Sequence, residues 1–474
     1  MINMSQTYEK RELDPEVALR PSSIKKEENE ANPVQEDAVF GDITERGPNY
    51  RNVGWLGAIA LMMKTQVGLG VLSIPAVFDA LGLIPGIICL CTIATITTWS
   101  GYMIGVFKLR HGQVYSIDDV GGLLFGRIGR EVFAIAFALW WICCSGSGML
   151  SISIGLNALS THGTCTAVFV AVSAIVGFIC GSIQTLGRIT WLAWIGLAGI
   201  VTSIFALTVA VGVQDRPDAA PQGGEWASDY KLFGNPTFAE ATSALASLIF
   251  AYAGTPAFFS IASEMRDPRY YTRSLMICQT CVTSIYIAIG TVVYYYCGSY
   301  VASPALGSAG VVMKKVCYGL ALPGLIVTTT LMTHYPAKYA FVRILRGSHH
   351  LTENSIIHWA TWLGCTFSVA MIAYIIASAI PVFYGLVALV GALLGTLMCF
   401  QPMGCMWLYD NWGKRKTGAS TKWTLMVCWC VFVIASGTFL MVAGTYGAIV
   451  GIVADYKASG GSAAWSCADN SNSV

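Results

Sequence analysis

Residues 64–75 read KTQVGLGVLSIP: an amine, a hydroxyl and a carboxamide, then two glycines, a serine and a proline, all inside an apolar run. A second run, AYAGTPAFFSIASEM at 251–265, places Gly254, Thr255 and Pro256 in its middle. Glycine weakens a helix, and proline removes a donor and strains the preceding turn. An opened turn leaves amides bare at the start of one half-helix and carbonyls bare at the end of the other. The amide end attracts a carboxylate, and the carbonyls attract an ammonium or a metal cation. Two such breaks can hold a small zwitterion by backbone alone. The expected donors are around Gly68, Leu69, Gly70 and Val71, and the expected acceptors around Tyr252, Ala253 and Gly254. The plain alternative is two kinked helices packed closely at their glycines.

What must position these breaks is a set of membrane helices. The 474-residue chain is 55% hydrophobic and only 11% charged, too little charge to cover a water-facing surface, so lipid is its solvent. Fourteen tryptophans and 49 glycines fit a spanning bundle. Residues 1–50 are polar and charged and read as a disordered tail, with no leader peptide. Eleven apolar segments follow, near 53–77, 81–107, 132–158, 165–181, 189–213, 240–263, 272–297, 316–337, 355–379, 382–408 and 423–451. Most are long enough to cross a bilayer, and lipid leaves helices as the spanning form because these runs are too uniformly apolar for a barrel. The run VGGLLFG at 120–126 reads as a short interfacial helix. If the amino terminus is cytoplasmic, the inner connectors carry about three times as many Lys and Arg as the outer ones. Eleven spans then put the carboxyl terminus, 452–474, outside.

The two broken segments are the first and the sixth. Splitting ten spans as five plus five, about 53–213 and 240–408, puts a break first in each half and inverts the second half. The segment at 423–451 is an extra helix. Transporters with inverted repeats place their site at this interface, near mid-membrane. The expected fold is an all-α integral membrane protein with a transporter domain over 51–451.

The chain resembles the amino acid/auxin permease family, and within it the fungal neutral amino acid permeases of the Mtr type. The resemblance is carried by KTQVGLGVLSIP, by AYAGTPAFFSIASEMRDP at 251–268 and by LPGLIVTTTLMTHYPAKYAFVRIL at 322–345, and it spans roughly 50–451. It implies the five-plus-five fold of the amino acid–polyamine–organocation superfamily, amino acid transport, proton drive and a plasma-membrane location; a vacuolar membrane stays open. It makes Gln66, Val67, Gly68, Leu69, Gly70 and Val71, with Tyr252, Ala253, Gly254 and Thr255, the substrate-contacting breaks; Thr65 adjoins them. It makes Glu264–Pro268 a cap at the inner end of helix six.

Several side chains could add to the breaks. Lys64 lies about 17 Å into its helix, counted at 1.5 Å per residue. It either snorkels toward the cytoplasm or serves as a coupling group that takes up and releases a proton, with Glu264 or the helix-six carbonyls as its partner. Glu264 reads as a cap facing Arg266 or Arg269, or as a proton relay. Thr328, Thr329 and Thr330 sit mid-span, where hydroxyls by default bond their own helix. If sodium drives transport, Thr328 or Thr329 should join carbonyls near Thr65 as a ligand; if protons do, Lys64 closes the same place. His334 is expected near the inner interface as a structural or gating residue. Ser145 and Gly146–Gly148 form a small-residue face, for tight packing or for a chamber wall. Trp140, Tyr252, Phe258, Phe259 and Tyr384 are candidate apolar walls. With no acidic residue deep in a span, neutral amino acids are the expected cargo.

No nucleotide, zinc-protease or dinucleotide motif is present, and no cofactor, nucleic acid or obligate protein partner is implied. The expected function is a secondary transporter importing neutral amino acids, not an enzyme. The alternative is a sensor that binds without transporting, with the charged tail as its signalling arm. Cys165, Cys297 and Cys467 lie near or beyond the outer face, and sequence alone does not say which of them pair.

Overall fold

The computed structural model describes residues 35–37, 41–43, 51–351, 353–380, 383–413, 420–458, 465 and 467–471. Two strands, β1 (Gln35–Asp37) and β2 (Gly41–Ile43), pair antiparallel with Glu36 opposite Asp42. These six residues depart from the unstructured reading of the tail; most of 1–50, like the basic run 414–416, lies outside the described residues.

Everything else is helix and connector. Helix one is α1 (Trp55–Gln66), a 3-10 turn at Gly70–Ser73, and α2 (Ile74–Leu81). Then come α3 (Leu83–Arg110), α4 (Ile117–Ser160), α5 (Thr166–Gly181) and α6 (Leu186–Val213). Helix six is α7 (Phe238–Tyr252) and α8 (Thr255–Glu264), followed by α9 (Tyr271–Cys297), α10 (Val311–Leu345) and α11 (Ile356–Ala379). The tenth segment is α12 (Phe383–Val390), a π turn at Gly391–Gly395, α13 (Thr396–Cys399) and α14 (Gln401–Asn411), and α15 (Thr421–Ala458) ends the bundle. Ten of these segments are long and apolar enough to cross a membrane; α5, at 16 residues, is shorter.

Local sequence sets the ends. Thr237 and Glu240 cap α7 reciprocally, Thr237 N–H donating to Glu240 Oε2 at 2.8 Å and Glu240 N–H to Thr237 Oγ1 at 3.3 Å. Pro75 and Pro256 sit in the first turns of α2 and α8, where a missing donor costs no helical bond. Gly126, at φ 69°, bends α4, so that VGGLLFG forms a helical arm before the span proper. The tenth segment breaks at the π turn and again at Phe400, ahead of Pro402, which the reading of one continuous helix over 382–408 did not anticipate.

The window of Trp55–Leu81 is 100% buried, whereas that of Thr421–Ala454 is 17% buried, so helix one lies at the centre and α15 at the rim. One packed group joins α10 to α4, α5, α6 and α11. Another joins α1 to α9, and α3 to α8 and α9. Val53 N–H donates to the Glu264 carbonyl at 3.0 Å and Arg266 N–H to the Val53 carbonyl at 2.9 Å. Helix one therefore begins where helix six ends, and the two run in opposite senses as an inverted repeat requires.

At the far end Cys165 is disulfide-bonded to Cys467, and Cys297 is free and buried. Thr166 Oγ1 donates to the Ala468 carbonyl at 2.7 Å and Asn157 Nδ2 to Asn470 Oδ1 at 2.7 Å, which seats the carboxyl-terminal tail on α4 and α5. Lys231 is exposed in the long connector 214–237. Trypsin cleavage there should leave two fragments that migrate together without reductant and separate with it; separation without reductant would refute the pairing.

Candidate functional site

Both predicted breaks are present and face each other. In helix one, Val67 leaves the helix at φ −77°, ψ 85°. Its amide bonds Met63 O at 2.6 Å, and the Gly68 amide turns back to Gln66 O at 3.0 Å. The amides of Leu69, Gly70 and Val71 have no acceptor among the described residues. Of the four expected donors, Gly68 is thus corrected: its own turn consumes it. In helix six, Ala253 leaves at φ −80°, ψ 43°, the Gly254 amide bonds Tyr252 O at 2.9 Å, and the Ala257 amide bonds Gly254 O at 3.0 Å. Only the Ala253 carbonyl of the three expected acceptors stays open, because the other two close tight turns. The Lys64 and Thr65 carbonyls of helix one also lack donors among the described residues.

The breaks touch through missing side chains. A Cβ on Gly70 would fall on the Ala251 backbone, and one on Gly254 on the Thr65 hydroxyl. Tyr286 of α9, fully buried, places its hydroxyl 2.9 Å from Gln66 O and 2.8 Å from Ala251 O, bracing both breaks with one proton. Tyr252 packs edge-on at 5.0 Å and donates to Thr283 Oγ1 at 3.0 Å. Nothing in the sequence marked Tyr286, since a lone tyrosine in a span reads as packing. We expect Tyr286→Phe to raise the KM for substrate several-fold and to cost about 1 kcal/mol of stability, the usual net worth of one buried hydrogen bond. Uptake kinetics and a thermal melt would check both, and an unchanged KM would remove the bracing role.

Polar atoms without partners gather here. Both amide atoms of Gln66, which is 1% exposed, lack a hydrogen-bond partner, as do Thr255 Oγ1 and Trp140 Nε1. A buried polar group left alone costs on the order of 1–3 kcal/mol, so these atoms beside the breaks are open to a guest or to water. Trp140 packs against Phe250 with ring centroids 5.5 Å apart and the planes tilted by 51°, forming a wall near the end of α7. Tyr384 instead lines a cavity of about 380 Å³ with Asp79, Glu240 and Ser243, among α2, α7, α12 and α15.

Thr328 bonds Gly324 O at 2.9 Å and Thr329 bonds Leu325 O at 3.0 Å, the default for such hydroxyls. A Cβ on Gly68 would nonetheless lie 2.7 Å from Thr328 Oγ1, so α10 does face the first break. Thr329 abuts Gly148 of α4, and Ser145 Oγ lies 2.7 Å from Thr333 Oγ1. The small-residue face of α4 is used to pack α10, and Ser145 is engaged there.

Three expectations about charge are corrected. Lys64 is fully buried and its Nζ donates to the Val67 carbonyl at 3.2 Å, in its own break, not to Glu264. Glu264 pairs with Lys338 of α10 at 2.5 Å, and Arg266 turns to Asn52. Both members of that pair are buried, so Lys338 is no connector charge and Glu264 is a deep carboxylate that the sequence reading did not place. His334, expected near an interface, is fully buried and packs 5.4 Å from the Trp362 ring. Among the described residues no group of three or more His, Cys, Asp or Glu could hold a metal ion.

A centrally buried pair of opposed, broken helices is the arrangement of a membrane transporter of the inverted-repeat class. The model of the family described as transmembrane amino acid transporter protein matches residues 51–450, and the chain belongs to that family. It is 34% identical over 435 residues, 90% of each chain, to a transmembrane transporter of Gibberella moniliformis. It is 29% identical to the N amino acid transport system protein of Neurospora crassa, over 98% of this chain and 99% of that one. In fold it is similar to a sodium-coupled sialic acid symporter in an outward-open state, with a TM-score of 0.52 at 13% identity, covering 86% of this chain and 92% of that one. The family resemblance read from the three motifs is thereby borne out, and the chain is a multi-pass membrane protein.

Proposed function

We propose that the protein imports neutral amino acids across the plasma membrane by proton symport, with alternating access about the two breaks. The observation that carries this is the set of free amides at Leu69, Gly70 and Val71, which head a half-helix beside the open carbonyls of Thr65 and Ala253. The amides take the substrate carboxylate, and the carbonyls take its ammonium. Gln66, Thr255 and Trp140 add polar contacts, with Phe250 as the apolar wall. The fully buried carboxylate of Glu264 is paired with Lys338, so among the described residues no unpaired carboxylate at the breaks rewards a cationic side chain. Lys64 brings a buried amine to the Val67 carbonyl, next to Gly68, which faces Thr328; a titratable amine in the break favours the proton as coupling ion.

The Lys and Arg bias and the Cys165–Cys467 disulfide, a bond suited to an oxidising compartment, support a carboxyl terminus outside and the Val53–Met265 end in the cytoplasm. The test is uptake by purified protein in liposomes, with pH and sodium gradients imposed separately against a panel of amino acids. Leucine or phenylalanine should accumulate under the pH gradient alone. Binding without accumulation would make the protein a sensor, arginine carried as fast as leucine would overturn the neutral cargo, and dependence on sodium would transfer coupling to Thr328 and the Thr65 carbonyl.

A further inference from the structure

We infer that the Glu264–Lys338 ion pair is the inner latch of the transport cycle, fastening the moving half-helices α1 and α8 to α10; this rests on the alternating-access reading above. Backbone bonds between Val53 and the 264–266 segment, with Arg266 donating to Asn52, join the start of helix one to the end of helix six. Those two ends therefore swing as one body. From its last helical residue the Glu264 carboxylate reaches Lys338 Nζ at 2.5 Å, with side-chain exposures of 0% and 3%.

The other charges at this end of α10 stay within their own packed group. Tyr339 donates to Asp118, Arg343 bonds Glu131, and Arg346 bonds Asp119, all between α10 and α4. Among the described residues Lys338–Glu264 is the ion pair that crosses from α8 to α10.

A buried ion pair has two comfortable states. Closed and dry, the Lys338 ammonium is paired with Glu264 Oε1; open and wet, each charge is satisfied by water. Halfway, both are stripped of water and unpaired, which is the costliest arrangement. Such a contact opens all at once, as a gate between two access states must. Loss of the latch should shift the population toward the inward-open state.

The experiment compares Glu264→Gln, Lys338→Met, the neutral pair carrying both, and the charge swap Glu264→Lys with Lys338→Glu. The KM for leucine is measured from the outer side in right-side-out vesicles and from the inner side in inside-out vesicles. Without the latch the outer KM should rise and the inner KM fall, each by about tenfold, the response to about 1.4 kcal/mol of bias. The swap should move both back toward the original values. A merely structural role would lower the maximal rate from both sides and leave the two KM values moving together. The single variants leave a lone buried charge and can fail to fold; the neutral pair does not, and carries the decision. If the folded neutral pair keeps both KM values, the latch is refuted. If the unaltered protein accumulates no leucine under any gradient, it is the transport reading that fails.

Discussion

Gly70→Ala should cut uptake by about 100-fold or more, the scale of loss when reacting or binding groups are displaced by about 1 Å. The added methyl has nowhere to go: it would fall on the Ala251 backbone, and backbone cannot rotate aside as a long side chain can. Either helix six moves off helix one or the first break re-forms elsewhere. Both outcomes separate the Leu69–Val71 amides from the Ala253 carbonyl, so a zwitterion loses one of its two ends. The bundle itself should survive, since α1 and α2 keep their contacts with α9 and α7. The control is Gly364→Ala in α11, where a Cβ meets nothing within 4 Å and uptake should be unchanged. Surface amount and melting temperature separate loss of function from loss of fold. Full activity in Gly70→Ala would mean that the breaks do not form the binding site.

The breaks were legible because their cause is local. Glycine and proline within a few residues weaken a helix whatever surrounds it, and their recurrence five spans later points to the repeat. Partners across the bundle were not legible. Lys338 sits at the end of a long apolar run beside Arg343 and Arg346, so sequence assigns it to the water-facing connector. Only the fold, which brings its amine to the Glu264 carboxylate inside the bundle, shows that it lies under cover. Tyr286 likewise becomes meaningful once Gln66 O and Ala251 O, 185 positions apart in the chain, come within reach of one hydroxyl. Of the four amides read as donors, Gly68 drops out because it spends its N–H on Gln66 O, a turn bond that composition does not reveal. The break in the tenth segment was missed although Gly391, Gly395 and Pro402 were in plain view. Membrane helices tolerate such residues, and the segment had no counterpart in the first repeat to draw attention to it.

Lys64→Met should uncouple transport from the proton gradient while leaving exchange intact. The amine is fully buried, donates to the Val67 carbonyl at 3.2 Å and pairs with no carboxylate among the described residues. A lone amine held against an open turn is a poor structural device, since burying it without a counter-charge costs energy that methionine of similar volume would recover. It is a reasonable coupling device. If the amine carries the coupling proton, the charge-assisted bond to the Val67 carbonyl would hold the turn when the proton is bound and weaken when it leaves, which would link the shape of the break to the protonation of the amine. With one proton carried per substrate, each unit of imposed pH difference supplies about 1.4 kcal/mol and about tenfold accumulation. In Lys64→Met that ratio should fall to about one, while labelled leucine still exchanges against unlabelled leucine at a rate near the original. Because the substitution removes a buried polar group, the melting temperature should hold or rise, so a misfolded protein cannot imitate the result. If Lys64→Met still accumulates leucine tenfold per pH unit, the proton travels by another route. Thr328 and the Thr65 carbonyl would then be left as a cation site to be tested with sodium.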